Sequence, residues 1–423
     1  MRKYRPEENA VLIWNPHLAR TAYVSGEELL ALELWTKGKG GGFTNRLEKL
    51  GLLDETDQQA VAGSIARSRE IKAPQASTGI AGTAAESGIS AINASSFCAP
   101  ESLHIELTSL CPLACPQCYK GAAGHESLDY GFLSSIIRQA GEMQVFQIAL
   151  GGGEPLGYPM LAELVQFAAE RGMAVSITTS GYGLDSSFLE ELFMAGLGHI
   201  QISLNGSSEK VNAKSRNGYE AAMAALKLLK DCGKPFGVNW VARRDNIDDF
   251  PAFIEAMRVF NPGNINILRY KPSPKEPYGE NCLPPEKLAK LAKIMKNTRG
   301  VRLKADSAFS GLLCHINGRA SFMGGCGAGR RFMALDSGGY FRPCSHVHMK
   351  EKAGSLRHVW YNSKHLEMFR LTGKKVAKPC AGCDYLHGCY GCRCAALAQS
   401  GDFYGGDAGC NFTTIYPRAL SGV

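Results

Sequence analysis

The 423-residue chain has no apolar run approaching the ~20 residues that a membrane-spanning helix needs. Its first residues, Met1-Arg2-Lys3-Tyr4-Arg5-Pro6 followed by Glu7 and Glu8, contain no signal-peptide core. These two absences predict a cytoplasmic protein with no membrane partner. A strong excess of one charge is also missing. The 47 Lys and Arg residues against 39 Asp and Glu leave +8, spread through the chain. Basic clusters at 287–304 and 346–378 therefore read as a solvated helix face and a hydrated loop, and nucleic acid is not the expected partner. What the chain has in quantity is cysteine. Fifteen thiols are many for a reducing compartment, where disulfides are disfavoured. They are clustered, which favours metal or redox use.

At ~150 residues per domain the length predicts two or three units. Residues 1–69 read as a small winged-helix-like module. Strands are expected at 10–14 and 21–24. A helix should start near Gly26, capped by Ser25, with Leu29, Leu30, Leu32 and Leu34 on its apolar side. A second helix is expected over 43–53. Residues 70–99, rich in Ala, Gly and Ser with almost no charge or aromatics, read as a linker. Residues 100–305 alternate strand and helix, with strands at 103–107, 146–150, 174–178, 199–204, 237–241 and 264–270. Six such units predict a parallel sheet with helical crossovers and are too few for a closed eight-fold barrel. The expected fold is therefore α/β, an open partial (β/α)6 barrel. Every motif falls at a strand C-terminus, the face where such folds build active sites. Residues 306–423 lose apolar periodicity and gain glycine and cysteine, as in a domain held together by metal.

The densest motif is Cys111-Pro-Leu-Ala-Cys115-Pro-Gln-Cys118-Tyr119. A structural zinc site takes four ligands, usually as paired C-x2-C knuckles. Three thiols spaced C-x3-C-x2-C suit instead a cubane iron–sulfur cluster with one iron left open. With Tyr119 following, this stretch resembles the signature of the radical S-adenosylmethionine (SAM) superfamily. The resemblance implies that the open iron chelates SAM and that the reduced cluster cleaves it to methionine and a 5′-deoxyadenosyl radical. It also implies an electron donor of flavodoxin or ferredoxin type. Gly152-Gly153-Glu154-Pro155, one β/α unit later, resembles the family's GGEP turn, which approaches the methionine part of the cofactor. Ser180 matches the strand end near the ribose. Ser203-Leu204-Asn205-Gly206 resembles the family's SLDG strand end, with Asn in place of the usual Asp. Arg216 matches an arginine that pairs with the cofactor carboxylate. Tyr119, Gly152, Gly153, Glu154, Pro155, Ser180, Ser203, Asn205 and Arg216 are thus the expected cofactor contacts.

Gly339-x4-Cys344 followed by Cys380-x2-Cys383-x5-Cys389 resembles the SPASM domain of the same superfamily, which carries two auxiliary clusters. The resemblance assigns Cys314, Cys326, Cys344 and Cys392 to one, and Cys380, Cys383, Cys389 and Cys410 to the other. Cys394 is held in reserve for Cys392, because Cys389-x2-Cys392 is one residue shorter than the family's C-x3-C. The expectation is three [4Fe-4S] clusters in all. SPASM proteins act mostly on peptides or proteins. A small N-terminal module of this kind resembles the leader-peptide grip of ribosomal-peptide maturases. The favoured function is therefore hydrogen abstraction from a precursor peptide to form a thioether or carbon–carbon crosslink. A sulfatase-type maturase, a peptide epimerase and an RNA-modifying enzyme are the alternatives.

Overall fold

The computed structural model describes residues 3–7, 10–15, 20–70, 97–121, 124–317, 325–407 and 410. Most of the expected linker at 70–99 lies outside them.

The chain begins with three antiparallel strands in the order β1 (Lys3–Glu7), β2 (Ala10–Asn15), β3 (Arg20–Ser25). Three helices follow, α1 (Glu27–Trp35), α2 (Gly42–Lys49) and α3 (Gln58–Ser68). Strand β2 is apolar at five consecutive positions because both its faces are covered. Val11 and Ile13 pack with Leu32, Trp35 and Val61 of the helices. Leu12 and Trp14 point the other way and pack with Phe97 and Phe146. A strand buried on both sides loses the polar alternation that an exposed face would impose.

Two sequence expectations change here. Ser25 does not cap α1; the N-cap is Gly26, whose φ of 57° suits a residue without Cβ. Leu30 and Leu34 are 60% and 41% exposed, and the buried face is Leu32 and Trp35. Strand β1 had no expectation at all, because Lys3-Tyr-Arg-Pro-Glu7 reads as polar. Its charges are spent inward. Arg5 donates to the carbonyls of Pro100 (2.7 Å) and Ala99 (2.8 Å) and to Glu7 Oε1 (2.7 Å), and the Cys98 amide donates to Glu7 Oε2 (2.5 Å).

The second sheet contains the six expected parallel strands, β4 (Ser102–Thr108), β5 (Gln147–Gly152), β6 (Ala174–Thr179), β7 (Leu197–Ser203), β8 (Phe236–Ala242) and β9 (Ile265–Arg269). A seventh, β10 (Leu303–Ala305), extends it beyond β9 in parallel. At three residues among charged neighbours, β10 has too little pattern to be read from sequence. Strand β11 (Phe332–Leu335) runs parallel to β4 on the other side. It leads into antiparallel β12 (Tyr340–Arg342) and β13 (Glu351–Lys352). The sheet stays open with β10 and β13 at its edges, so the barrel is partial. Crossover helices cover one face. Two of them start with an aspartate cap, Asp129 to the Phe132 amide (2.9 Å) and Asp185 to the Phe188 amide (2.8 Å). Among the described residues no helix is long and apolar enough to cross a membrane.

Candidate active site

Strand β4 ends at Thr108 and releases the loop carrying Cys111, Cys115 and Cys118. Segments following two other strands, β5 and β9, hold this loop. The Gly153 and Glu154 amides donate to the Thr108 and Leu110 carbonyls at 2.7 and 2.8 Å. From beyond β9, Ser273 Oγ donates to the Cys118 carbonyl (3.0 Å) and Lys275 Nζ to the Cys115 carbonyl (3.3 Å). Gly152 has φ 122°, and a Cβ there would lie 2.5 Å from the Thr108 carbonyl oxygen. The expected glycine turn is thus required twice, by conformation and by close approach.

Glu154 is 4% exposed and joins β5 to the end of β6. Its carboxylate accepts from Thr179 Oγ1 (2.5 Å), the Ser180 amide (2.9 Å), the Ser180 hydroxyl and the Leu156 amide (3.2 Å). Pro155 opens the short turn that follows. Ser203 ends β7, and Asn205 beyond it is buried. The Asn205 side chain donates to Ser215 Oγ (2.9 Å) and accepts from the Val241 amide (3.0 Å), so it fastens β7 to β8 and to the segment before Arg216. An aspartate at 205 would have no N–H for Ser215. That segment reaches the cysteine loop, where the Gln117 amide donates to the Ser215 carbonyl (3.1 Å). Arg216 Nε is buried with no hydrogen-bond partner. Burial first, and then the charge of Glu154, raise the Cys111 thiol pKa, while Arg216 lowers it.

The structure therefore brings Cys111, Cys115, Cys118, Gly152, Gly153, Glu154, Pro155, Ser180, Ser203, Asn205 and Arg216 to one end of the parallel strands. Tyr119 turns inward from the same loop. Its hydroxyl donates to Glu106 Oε1 (2.8 Å), whose other oxygen meets Lys120 Nζ at 2.5 Å.

A cavity of about 330 Å³ opens beside Tyr119 and Gln117 and runs to the C-terminal cysteines. Its walls include Lys271, Asp306, His346 and the thiols of Cys326, Cys344, Cys392 and Cys394. Lys271 Nζ pairs with Asp306 Oδ2 at 3.2 Å. Burial opposes the charge on Lys271, but Asp306 and the neighbouring Cys392 hold its ammonium above the usual lysine range. His346 stands edge-on to Tyr119, ring centroids 4.5 Å apart, and its Nδ1 is buried without a partner. Glu106, Lys271 and His346 were missed in the sequence. For Lys271 the available signal was its place just past the end of β9.

The C-terminal thiols fall into two groups that differ from the expected sets. Cys326, Cys344 and Cys392 share the cavity with Cys394. Cys314 is instead on the helix Ser310–Asn317, with its Sγ 4.0 Å from the Gly388 carbonyl beside Cys389. Cys410 belongs with that second group: burial first, and then Asp407 and the neighbouring Cys380 and Cys383, push its thiol up, and after burial Cys410 in turn pushes up Cys389. Burial raises the Cys344 and Cys326 thiols to about 12 and about 11. Among the described residues, no three Cys, His or acidic side chains converge on a point fit for a single ion.

A family model described as the Radical SAM superfamily matches residues 105–257. The PqqA peptide cyclase of Gluconobacter oxydans (strain 621H) is 30% identical over 347 residues, covering 77% of this chain and 94% of that protein. That of Ruegeria pomeroyi (strain ATCC 700808 / DSM 15171 / DSS-3) is 30% identical over 350 residues, 77% and 92%. This chain belongs to the radical SAM superfamily and is a radical SAM enzyme. Among solved structures it is similar in fold to Streptococcus suis SuiB bound to S-adenosylmethionine, TM-score 0.69 at 17% identity, over 97% of this chain and 98% of that one. The fold of anSMEcpe with bound AdoMet matches at TM-score 0.60 and 17% identity, over 75% and 97%.

Membership implies a [4Fe-4S] cluster and SAM, and the barrel mouth fits them. Three thiols on one loop leave one position of a four-iron cluster to a non-protein ligand. The glycine turn leaves no room for side chains, and Arg216 keeps a buried donor without a partner for an anionic group.

Proposed function

We propose that this enzyme is a maturase that crosslinks side chains of a ribosomally made precursor peptide, in the cytoplasm, with electrons from a flavodoxin- or ferredoxin-type donor. The observation that carries this reading is the likeness to PqqA peptide cyclases over almost their whole length. Cys111, Cys115 and Cys118 hold the cluster, while Glu154 and Arg216 take the ammonium and carboxylate of SAM. When bound, the pair supplies a 5′-deoxyadenosyl radical that removes a hydrogen atom from a peptide carbon. The chain's part is to seat that carbon and keep water away. The apolar lining of Val241, Leu268 and Phe332 excludes water, and Lys271, fixed by Asp306, offers a charge-assisted donor to a peptide carbonyl or carboxylate. Cys326, Cys344, Cys380, Cys383, Cys389, Cys392 and Cys410 belong to two auxiliary clusters that take up the surplus electron.

The N-terminal module supports a peptide substrate. The contacts of Arg5 and Glu7 tie β1 to residues 98–100. Among the described residues β3 stands at the edge of the sheet, paired with β2, and an extended peptide added beside it is the strand-addition mode of peptide recognition. One of the SuiB structures that match over 97% of this chain is described as bound to precursor peptide SuiA.

The reading is tested by incubating reduced enzyme with SAM and the short peptide encoded beside its gene. Crosslinking leaves the peptide lighter by two hydrogens. An unchanged mass, or uptake of solvent deuterium without mass loss, refutes it; the latter marks epimerisation.

A further inference from the structure

Four thiols, and not the four expected from family spacing, share the cavity beside Tyr119. Cys326, Cys344, Cys392 and Cys394 all line it, and Cys314 is not among its lining residues. Cys394 Sγ donates to the His346 carbonyl at 2.9 Å, which ties it to the turn just after Cys344. Cys392 and Cys394 are the N-cap and second residue of the helix Arg393–Ser400. Cys314 looks the other way. Gly311 lies one turn before it on the same helix face. A Cβ on Gly311 would lie 2.7 Å from Cys410 Sγ and 3.5 Å from Cys389 Sγ, so this face meets the second group. The local spacing agrees. Cys389-x2-Cys392 is one residue short and Cys389-x4-Cys394 one residue long of C-x3-C, with Arg393 at the family position. The chain flanks one ligand position with two thiols.

We infer that the auxiliary cluster nearer the barrel is held by Cys326, Cys344, Cys392 and Cys394, with Cys314 placed against the second group. This rests on the reading that the C-terminal region carries auxiliary clusters. The consequence is functional. Four protein thiolates close the cluster, so no iron is open to a substrate group, and its task is electron transfer rather than peptide ligation.

The test uses the full-length chain with Cys111, Cys115 and Cys118 changed to Ala, reconstituted anaerobically. Two auxiliary clusters give about eight irons per chain. Adding Cys394→Ala should lower the iron and alter one of the two paramagnetic signals of the reduced protein. Cys394→Asp, which offers a carboxylate ligand in a folded chain, should keep about eight irons with one signal shifted. Cys314→Ala should leave iron and both signals unchanged. The inference is overturned if both Cys394 variants match the parent, or if Cys314→Ala alters the nearer cluster's signal. A parent variant with no iron overturns the auxiliary-cluster reading itself, and the inference with it.

Discussion

Gly153 approaches Leu110 so closely that a Cβ built on it would stand 2.0 Å from the Leu110 carbonyl oxygen. No side chain can relieve that contact, because the obstacle is backbone. Gly153→Ala should push the turn off the cysteine loop while the two barrel strands still form. A displacement near 1 Å at a reacting centre costs about 10²-fold in rate. Production of 5′-deoxyadenosine by the variant should fall by about that factor, with circular dichroism unchanged.

Trp14 stacks on Phe146 with ring centroids 5.2 Å apart and planes 4° from parallel. The pair joins the N-terminal module to the barrel, beside the Arg5 guanidinium 4.7 Å from the Phe146 ring centroid. Trp14→Ala should cost about 3–5 kcal/mol of that packing. Hydrogen exchange should show the loss first in β1 and β2, ahead of β5 and β6. The same method tests the open edge, since adding precursor peptide should protect amides of β3.

Lys271 and Asp306 form an ion pair in the cavity wall. If Lys271 seats the peptide, Lys271→Gln should uncouple the reaction. Cofactor cleavage should continue while peptide product falls at least about tenfold, equivalent to 1.4 kcal/mol. Equal losses in both would place Lys271 in cofactor binding instead.

His199 on β7 has a pKa lowered to about 4, by burial first and then by Lys304. In the unfolded chain it takes a proton near pH 6.5. Between those values the unfolded state binds more protons, so stability rises with pH. The contribution is complete above about pH 6.5 and is lost as pH falls toward 4. The urea midpoint should drop over that interval, and His199→Gln should flatten the drop.

Much of this was legible in the sequence because the carriers are local. The strands at 103–107 and 146–150 announce themselves by apolar runs ending in cysteine or glycine motifs. Strand β1 did not, because Arg5 and Glu7 are buried by partners 90 residues and more away, which no local pattern records. Leu30 and Leu34 misled because α1 is apolar on more than its buried side. The C-terminal grouping needed the fold. Spacing along the chain cannot tell which face of the helix Ser310–Asn317 Cys314 occupies, nor that Cys394 reaches the Cys344 turn. His346 was missed because its neighbour Tyr119 is brought to it only by β11 docking beside β4.

The central claim is that hydrogen leaves a carbon of a precursor peptide for the 5′ position of the cleaved cofactor. The direct measurement is the mass of 5′-deoxyadenosine formed with peptide deuterated at its side-chain carbons. The account predicts one deuterium in the nucleoside for each peptide that loses two hydrogens. Nucleoside without deuterium, formed beside an unmodified peptide, would contradict it.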